Sequence, residues 1–415
     1  MRTVIINRSS AKRVQFHKWL EGIEGEFILV TKDAYSNDFD SFFSSVIGFK
    51  DFADNDYIYS YIIDLNKTKE IDYIIALNEF DLLKAAYLRE YLGIEGQNSE
   101  SAMAFRDKVM MKDRLASVVQ TPTYQRINHA LDLIDFKQKH GLPLVVKPVD
   151  GAGSVGVEII RDENDYRELL EKGIGSNLEV ETFVLGEMYH VDGLYRDGEL
   201  LLSHPSRYIH GCLAFQDSKF LGSVMLETDN ELTARLNEAV HRVLDAMPTP
   251  GHTISFHAEF FHTEQNELVL CEIASRVGGG MIAEAMLAAT GVDILGESAR
   301  GQCGAPPSFQ NASVNQLAGW ILIPPKNGTL RALDLSYPYD WVVDYYTKEE
   351  YIGKTFDKAS SSVDAYISLL VTGESEQQIE ERFHIINKWF EDHTKWEFDQ
   401  DKEGCDGLLS AASQH

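Results

Sequence analysis

The sequence has little positive charge, little cysteine and no long apolar run. Its 38 lysines and arginines stand against 65 aspartates and glutamates, a formal net charge of −27. Such a surface repels polyanions, so neither nucleic acid nor an anionic membrane is expected as a partner. Cysteine is limited to Cys212, Cys271, Cys303 and Cys405. No two have the spacing of a metal or dithiol motif, and four in so long a chain make no disulfide framework. A reducing, cytoplasmic setting is expected. The apolar run near the start, TVIIN, is too short for a signal peptide. The longest apolar helix candidate, GMIAEAMLAATGVDIL, carries Glu284 and Asp293 and falls short of a bilayer span. What remains is ordinary globular composition, 44% hydrophobic and 25% charged. The length suits roughly two or three domains.

TVIIN (3–7), FILVT (27–31) and IDYIIAL (71–77) read as buried strands, with helices over 11–20 and in LLKAAYLREYLG. This alternation predicts a small parallel α/β domain over 1–104. Its first turn, NRSSAKR, has no glycine, so it is a poor phosphate-binding turn. A helix in FRDKVMMKDRLASV follows, then one in HALDLIDFKQKHG. Next come strand pairs in PLVVKPV, VGVEIIR, LEVETFV and YHVDGLYRDGELLLS, the last turning at Asp197-Gly198. After a helix in NELTARLNEAVHRVLDAM, TISFHAEFFHT and ELVLCEIA form another hairpin, and RVGGG opens a helix. Residues 105–305 are read as the central domain, 306–397 as an α+β part and 398–415 as a polar, disordered tail.

The stretch VVKPVDGAGSVGVEII contains G-x-G-x-x-G, with glycines at 151, 153 and 156. A dinucleotide turn must open into a helix whose N-terminus faces the pyrophosphate. Here the β-branched run VGVEIIR follows and predicts a second strand. No lysine follows the last glycine, so it is not a Walker loop either. A glycine loop between antiparallel strands is a flap whose N–H groups and Ser154 hydroxyl can close over phosphate. Lys147, on the strand before it, adds a cation. A tight hairpin with glycines for geometry alone is the plainer alternative.

Three further stretches bear on that choice. In HAEFFHTEQNELVLCEIASR, Glu259 and Glu272 fall on facing strands and can hold hard cations between them. Carboxylates inside apolar strands otherwise need a basic partner, and Arg276 is the nearest for Glu272. His257 is in phase with Glu259 and reads better as its hydrogen-bonded neighbour than as a ligand. Arg276, Gly278, Gly279 and the helix after them suit an anion, with Arg276 placed to stabilise phosphoryl charge; a helix cap is the plainer reading. Finally, LEVETFVLG (178–186) carries Glu181 and Phe183 on a strand leaving into glycine, a hinge whose main chain could read adenine.

In their order these stretches resemble the ATP-grasp superfamily of carboxylate ligases. The likeness runs through FRDKVMMK, the flap, ETFVLG, HAE and EIASRVGGG. The texture is nearest to amino-acid ligases: dipeptide and carnosine-type synthases, and ligases that load an amino acid on a carrier protein. The resemblance implies an α/β and α+β ATP-grasp fold with a Rossmann-like leader. It implies ATP phosphate contacts from Lys108 and Lys147, cover from Gly153 and Ser154, and an adenine edge at Glu181, Phe183 and Val184. Glu259 and Glu272 would hold magnesium or manganese, with Arg276 and Lys147 catalytic, and Gly278 and Gly279 at the substrate; His190, on the strand face of Met188, is placed at the substrate by that strand phase. Two positions depart from the family pattern. Ala274 stands where many relatives have a ligand asparagine, and Met188 where they have a ribose-binding glutamate, Glu187 lying one residue early on the opposite strand face.

The implied reaction activates an amino-acid carboxylate as an acyl phosphate, releasing ADP, and couples it to an amine. An acyl carrier protein thiol is the alternative acceptor, giving an aminoacyl thioester such as a glutamyl one in natural-product (antibiotic) biosynthesis. The strong negative charge disfavours an acidic carrier. A nucleotide-binding regulatory protein without turnover is the remaining rival, opposed by the intact acidic pair and Arg276. A homodimer is compatible with all of these.

Overall fold

The computed structural model describes residues 1–39 and 41–398. Apart from Phe398, the expected tail lies outside the described residues.

The chain opens with four parallel strands in the order Ser45–Phe49, Glu26–Lys32, Arg2–Asn7, Tyr73–Ala76. Arg2–Asn7 is buried along its whole length, as a central parallel strand covered on both faces must be. Ser45–Phe49 and the helix Tyr57–Thr68 were not anticipated. The helix expected over 11–20 shrinks to Phe16–Trp19. Residues before it form a turn closed by Arg13 N–H to Ser10 O at 2.9 Å, and RSSAKR lacks the apolar period that would fold it as a helix.

The expected helix FRDKVMMKDRLASV is two, Ser99–Arg106 and Lys108–Leu115, broken at Asp107. Asp107 is extended (φ −89°, ψ 107°), and its carboxylate caps the second helix at Val109 and Met110 N–H.

A four-stranded antiparallel sheet carries the flap, in the order Tyr124–Ile127, Leu178–Thr182, Leu144–Pro148, Glu158–Ile160. The strand after the glycines is short, because the loop holds Gly153, Ser154 and Gly156 at positive φ (65°, 58° and 73°) and delays pairing to Glu158.

The main sheet has eight antiparallel strands. The hairpin Ile254–Thr263/Leu268–Ala274 forms one edge, followed by Gly186–Arg196 and Glu199–Ile209. The latter two turn at Asp197 and Gly198, both with φ above zero, as a tight hairpin requires. The sheet continues through Leu221–Met225, Leu317–Ile323, Ile367–Gly373 and Val342–Tyr346, so strands from either side of residue 305 share it. Helix Glu231–Ala246 buries Leu236, Val240, Val243 and Leu244 against Phe256 and Phe260 of the metal-candidate hairpin. Each such buried side chain contributes ~1.5–3 kcal/mol, and together they fix the strand that carries Glu259. No helix among the described residues is long and apolar enough to cross a membrane.

Candidate active site

Three of the four sheets line a cavity of about 990 Å³, walled by the flap, the hinge after Thr182, the hairpin carboxylates and the N-terminal residues Asn7, Arg13 and Glu79. The register sets Glu259 directly opposite Glu272, and both face the cavity half-buried. Lys108 Nζ lies 3.0 Å from Glu272 and donates to Gly151 O at 2.8 Å. Burial pushes the Glu272 carboxyl up, but Lys108 and then Lys147 outweigh it and hold it down at about 2. Glu259 accepts from Tyr208 Oη at 3.0 Å and lies 3.3 Å from His257 Nε2. Burial depresses His257, yet Asp192 and Glu259 overcome this and raise it to about 9, so the imidazole stands charged beside Glu259.

Lys147 is buried in the cavity wall, with Nζ 2.7 Å from Glu181 and 3.8 Å from Glu179. Burial lowers its pKa, but Cys271, Glu181 and Glu179 reverse this and hold it well above the ordinary lysine value. Fully buried Lys112 donates to the same two carboxylates, at 2.9 Å (Glu179) and 2.6 Å (Glu181). Glu181 sits inside the ladder opposite both Tyr124 and Val145. Phe183, Val184 and Leu185 lie beyond the strand and line the cavity.

Arg276 does not pair with Glu272. It donates to Glu79, which also accepts from Arg106, and to Val277 O at 3.0 Å. Burial raises Glu79, but Arg276 and Arg106 outweigh it and lower its pKa. Gly278 and Gly279 line the cavity. A Cβ at Gly278 would lie 2.4 Å from Ile282 Cδ1 and 2.6 Å from His257 Nδ1, so any larger residue must displace these side chains. The helix after RVGGG begins at Ile282, with no side-chain cap. In the flap, Gly153 O accepts from Ser362 N–H at 3.0 Å, and Ser154 lines the cavity.

His190 is a correction. It is 1% exposed and does not line the cavity. Its Nε2 lies 2.6 Å from Ser223 Oγ and its Nδ1 bonds Asp192, with the Tyr208 ring 4.5 Å away. Its strand is flanked on both sides, and Tyr208 and Trp320 close over that face. His190, Asp192 and His257 bring ligand-type atoms within 4.8 Å of one another. Asp192 is already hydrogen-bonded to both imidazoles, so the three form an array behind Glu259.

The sequence reading missed Glu79, Arg106, Lys112, Glu179 and Tyr208. Two left a trace. Glu79 is an acid just past a buried parallel strand, at the carboxyl end where such sheets place sites. Lys112 is four residues after Lys108 and shares its helix face.

A family model of the ATP-grasp domain matches residues 140–284. The chain is 25% identical to an L-arginine-specific L-amino acid ligase of Bacillus subtilis over 345 residues, 80% of this chain and 82% of that one. It is 31% identical to a D-alanine–D-alanine ligase of Bacillus anthracis over 160 residues, 36% of this chain and 52% of that ligase. An L-amino acid ligase from Bacillus licheniformis shares the fold, with TM-score 0.76 at 18% identity over 96% of this chain and 99% of the other. Residues 140–284 thus match the ATP-grasp domain, and the chain is amino-acid-ligase-like in sequence along most of its length.

Proposed function

We propose that the chain activates an amino-acid carboxylate with ATP and joins it to an amine. The observation that carries this reading is the convergence on one cavity of the flap, Lys108, Lys147, the Glu259/Glu272 pair and Arg276. The similarity to amino-acid ligases supports an amino acid as carboxylate donor.

Lys147, charged throughout the neutral range, and Lys108 bind the phosphates, with the flap amides and Ser154 closing over them. The adenine edge falls to the main chain of Val184 and Leu185, because Glu181 lies inside the ladder and its carboxylate holds Lys147. Glu259 and Glu272 fit magnesium or manganese: two hard oxygen donors face each other across a register pair, while Ala274 offers none. Bound there, the metal supplies positive charge to the phosphates. Arg276, fixed by Glu79, faces the transferring phosphoryl group and its acceptor carboxylate.

The carboxylate oxygen attacks the γ-phosphorus, and the bond to the β–γ bridging oxygen breaks to release ADP. The amine then attacks the acyl carbon, phosphate leaves, and the amine loses a proton. No protein nucleophile takes part, so catalysis is positioning and charge stabilisation. The test is a screen of amino-acid pairs, and of amino acids with carrier protein, for nucleotide products. ADP in step with amide product, and a hydroxamate when hydroxylamine replaces the amine, are expected. AMP and pyrophosphate as products would refute the mechanism.

A further inference from the structure

Seven glutamates line the cavity, and six have protein partners. Glu79 lies between two guanidiniums, Glu181 between two lysines, and Glu272 against Lys108. Glu187 and Glu380 face Arg207, and Glu259 meets Tyr208 and His257. Glu284 is different. It is half-buried, and among the described residues no other residue is hydrogen-bonded to its carboxylate. Among the described residues no cation lies in ion-pair range of it. A desolvated carboxylate without a partner is costly, and burial raises its pKa. Its place in the first turn of helix Ile282–Thr290 suits any acid there. That does not account for its facing the cavity rather than solvent.

The charges acting most on Glu284 are Arg13, Asp344 and Asp293. With Glu284 itself that makes three carboxylates against one guanidinium, and Arg13 stacks over Tyr346 at 4.5 Å. Arg13 lines the cavity itself, together with Val14 and Phe16 of the same segment and Leu295, two residues after Asp293. The cavity therefore carries, beside the apolar wall of Val14, Phe16 and Leu295, a carboxylate with no cation in ion-pair range among the described residues. We infer that Glu284 selects an amino-acid substrate with a cationic side chain, the aliphatic stem lying on Val14, Phe16 and Leu295 and the terminal nitrogen donating to Glu284.

The inference rests on the amino-acid ligase reading, and binding separates the two. L-lysine, L-arginine and their neutral counterparts L-norleucine and L-citrulline are titrated calorimetrically into the full chain with magnesium and a non-hydrolysable ATP analogue. Wild type should bind the basic pair at least about tenfold more tightly, as a charge-assisted hydrogen bond gives. Glu284→Gln should remove that preference and leave the neutral affinities within about twofold. Thermal stabilisation by the nucleotide analogue confirms that the variant is folded. Equal affinities in wild type, a preference surviving in Glu284→Gln, or no binding of any of the four overturns the inference. A loss shared equally by all four would place the α-ammonium there and also overturn it. ADP release is measured in parallel. Selective binding without ADP release from any amino-acid pair removes the ligase reading alone, and turnover of neutral amino acids without selectivity removes the subsite alone.

Discussion

Glu79 is the joint between the N-terminal sheet and Arg276, and its removal is the most informative single change. Glu79→Gln keeps the size and removes the charge that the buried Arg106 and the half-buried Arg276 share. Breaking a buried ion pair by deleting one partner costs roughly 3–5 kcal/mol. Here each arginine keeps one carbonyl, Val277 O at 3.0 Å for Arg276 and Asp150 O at 2.6 Å for Arg106. The amide can still accept one bond. The expected loss therefore sits near the low end, about 3 kcal/mol in urea unfolding at neutral pH. The pH dependence follows from the sign of the shift. The folded pKa of Glu79 lies below its ordinary 4.5. Its stabilisation is thus fully present above the unfolded value and is lost as pH falls through the lowered folded one. The gap between wild type and Glu79→Gln should be flat from neutrality to about pH 5.5 and close below pH 4.5. Turnover should fall more than ATP affinity, because Arg276 loses its orientation while Lys147 keeps its partners. A stability loss below about 0.5 kcal/mol, or a gap that does not change with pH, would refute the reasoning.

Lys112→Met should cost about 3 kcal/mol by leaving Glu179 and Glu181 with Lys147 alone, and adding Glu179→Gln should restore part of it in the same unfolding assay. Glu272→Gln should keep the fold and abolish ATP-dependent turnover at limiting magnesium; wild-type rates there would remove Glu272 from the metal site. Gly278→Ala must displace Ile282 and His257, so a loss of about 1–3 kcal/mol in thermal unfolding and impaired turnover are expected.

The fold class was readable because periodicity and turn chemistry are local. Arg2–Asn7, Glu26–Lys32 and Tyr73–Ala76 carry the apolar runs VII, FILV and YIIA, and Asp197-Gly198 has the backbone freedom its turn uses. Ser45–Phe49 escaped because an edge strand needs only one buried residue, Phe49, and shows no pattern. The pairing of Glu259 with Glu272 was readable for the same local reason, since a hairpin with a short turn fixes its own register. The ion pairs were not. Arg276 is four residues from Glu272 yet bonds Glu79, which is 197 residues away. Charge has no periodicity, and a buried carboxylate takes whichever guanidinium the tertiary fold delivers. His190 was placed at the substrate by strand phase alone, which gives the face of a strand and not what covers it.

The break at Asp107 shows how one local feature arranges several of these long-range contacts. On a continuous helix, Arg106 and Lys108 would point about 200° apart and could not serve one surface. With Asp107 extended, both turn to the base of the flap, Arg106 donating to Asp150 O and Lys108 to the next carbonyl, Gly151 O. Arg126 holds Asp107 at 2.5 Å, and the Asp107 cap starts the second helix in the phase that buries Lys112 under Glu179 and Glu181. One helix face thereby gives Lys108 to the Glu272 hairpin and Lys112 to the hinge strand. The helix lies between the flap sheet and the main sheet and neutralises carboxylates of each.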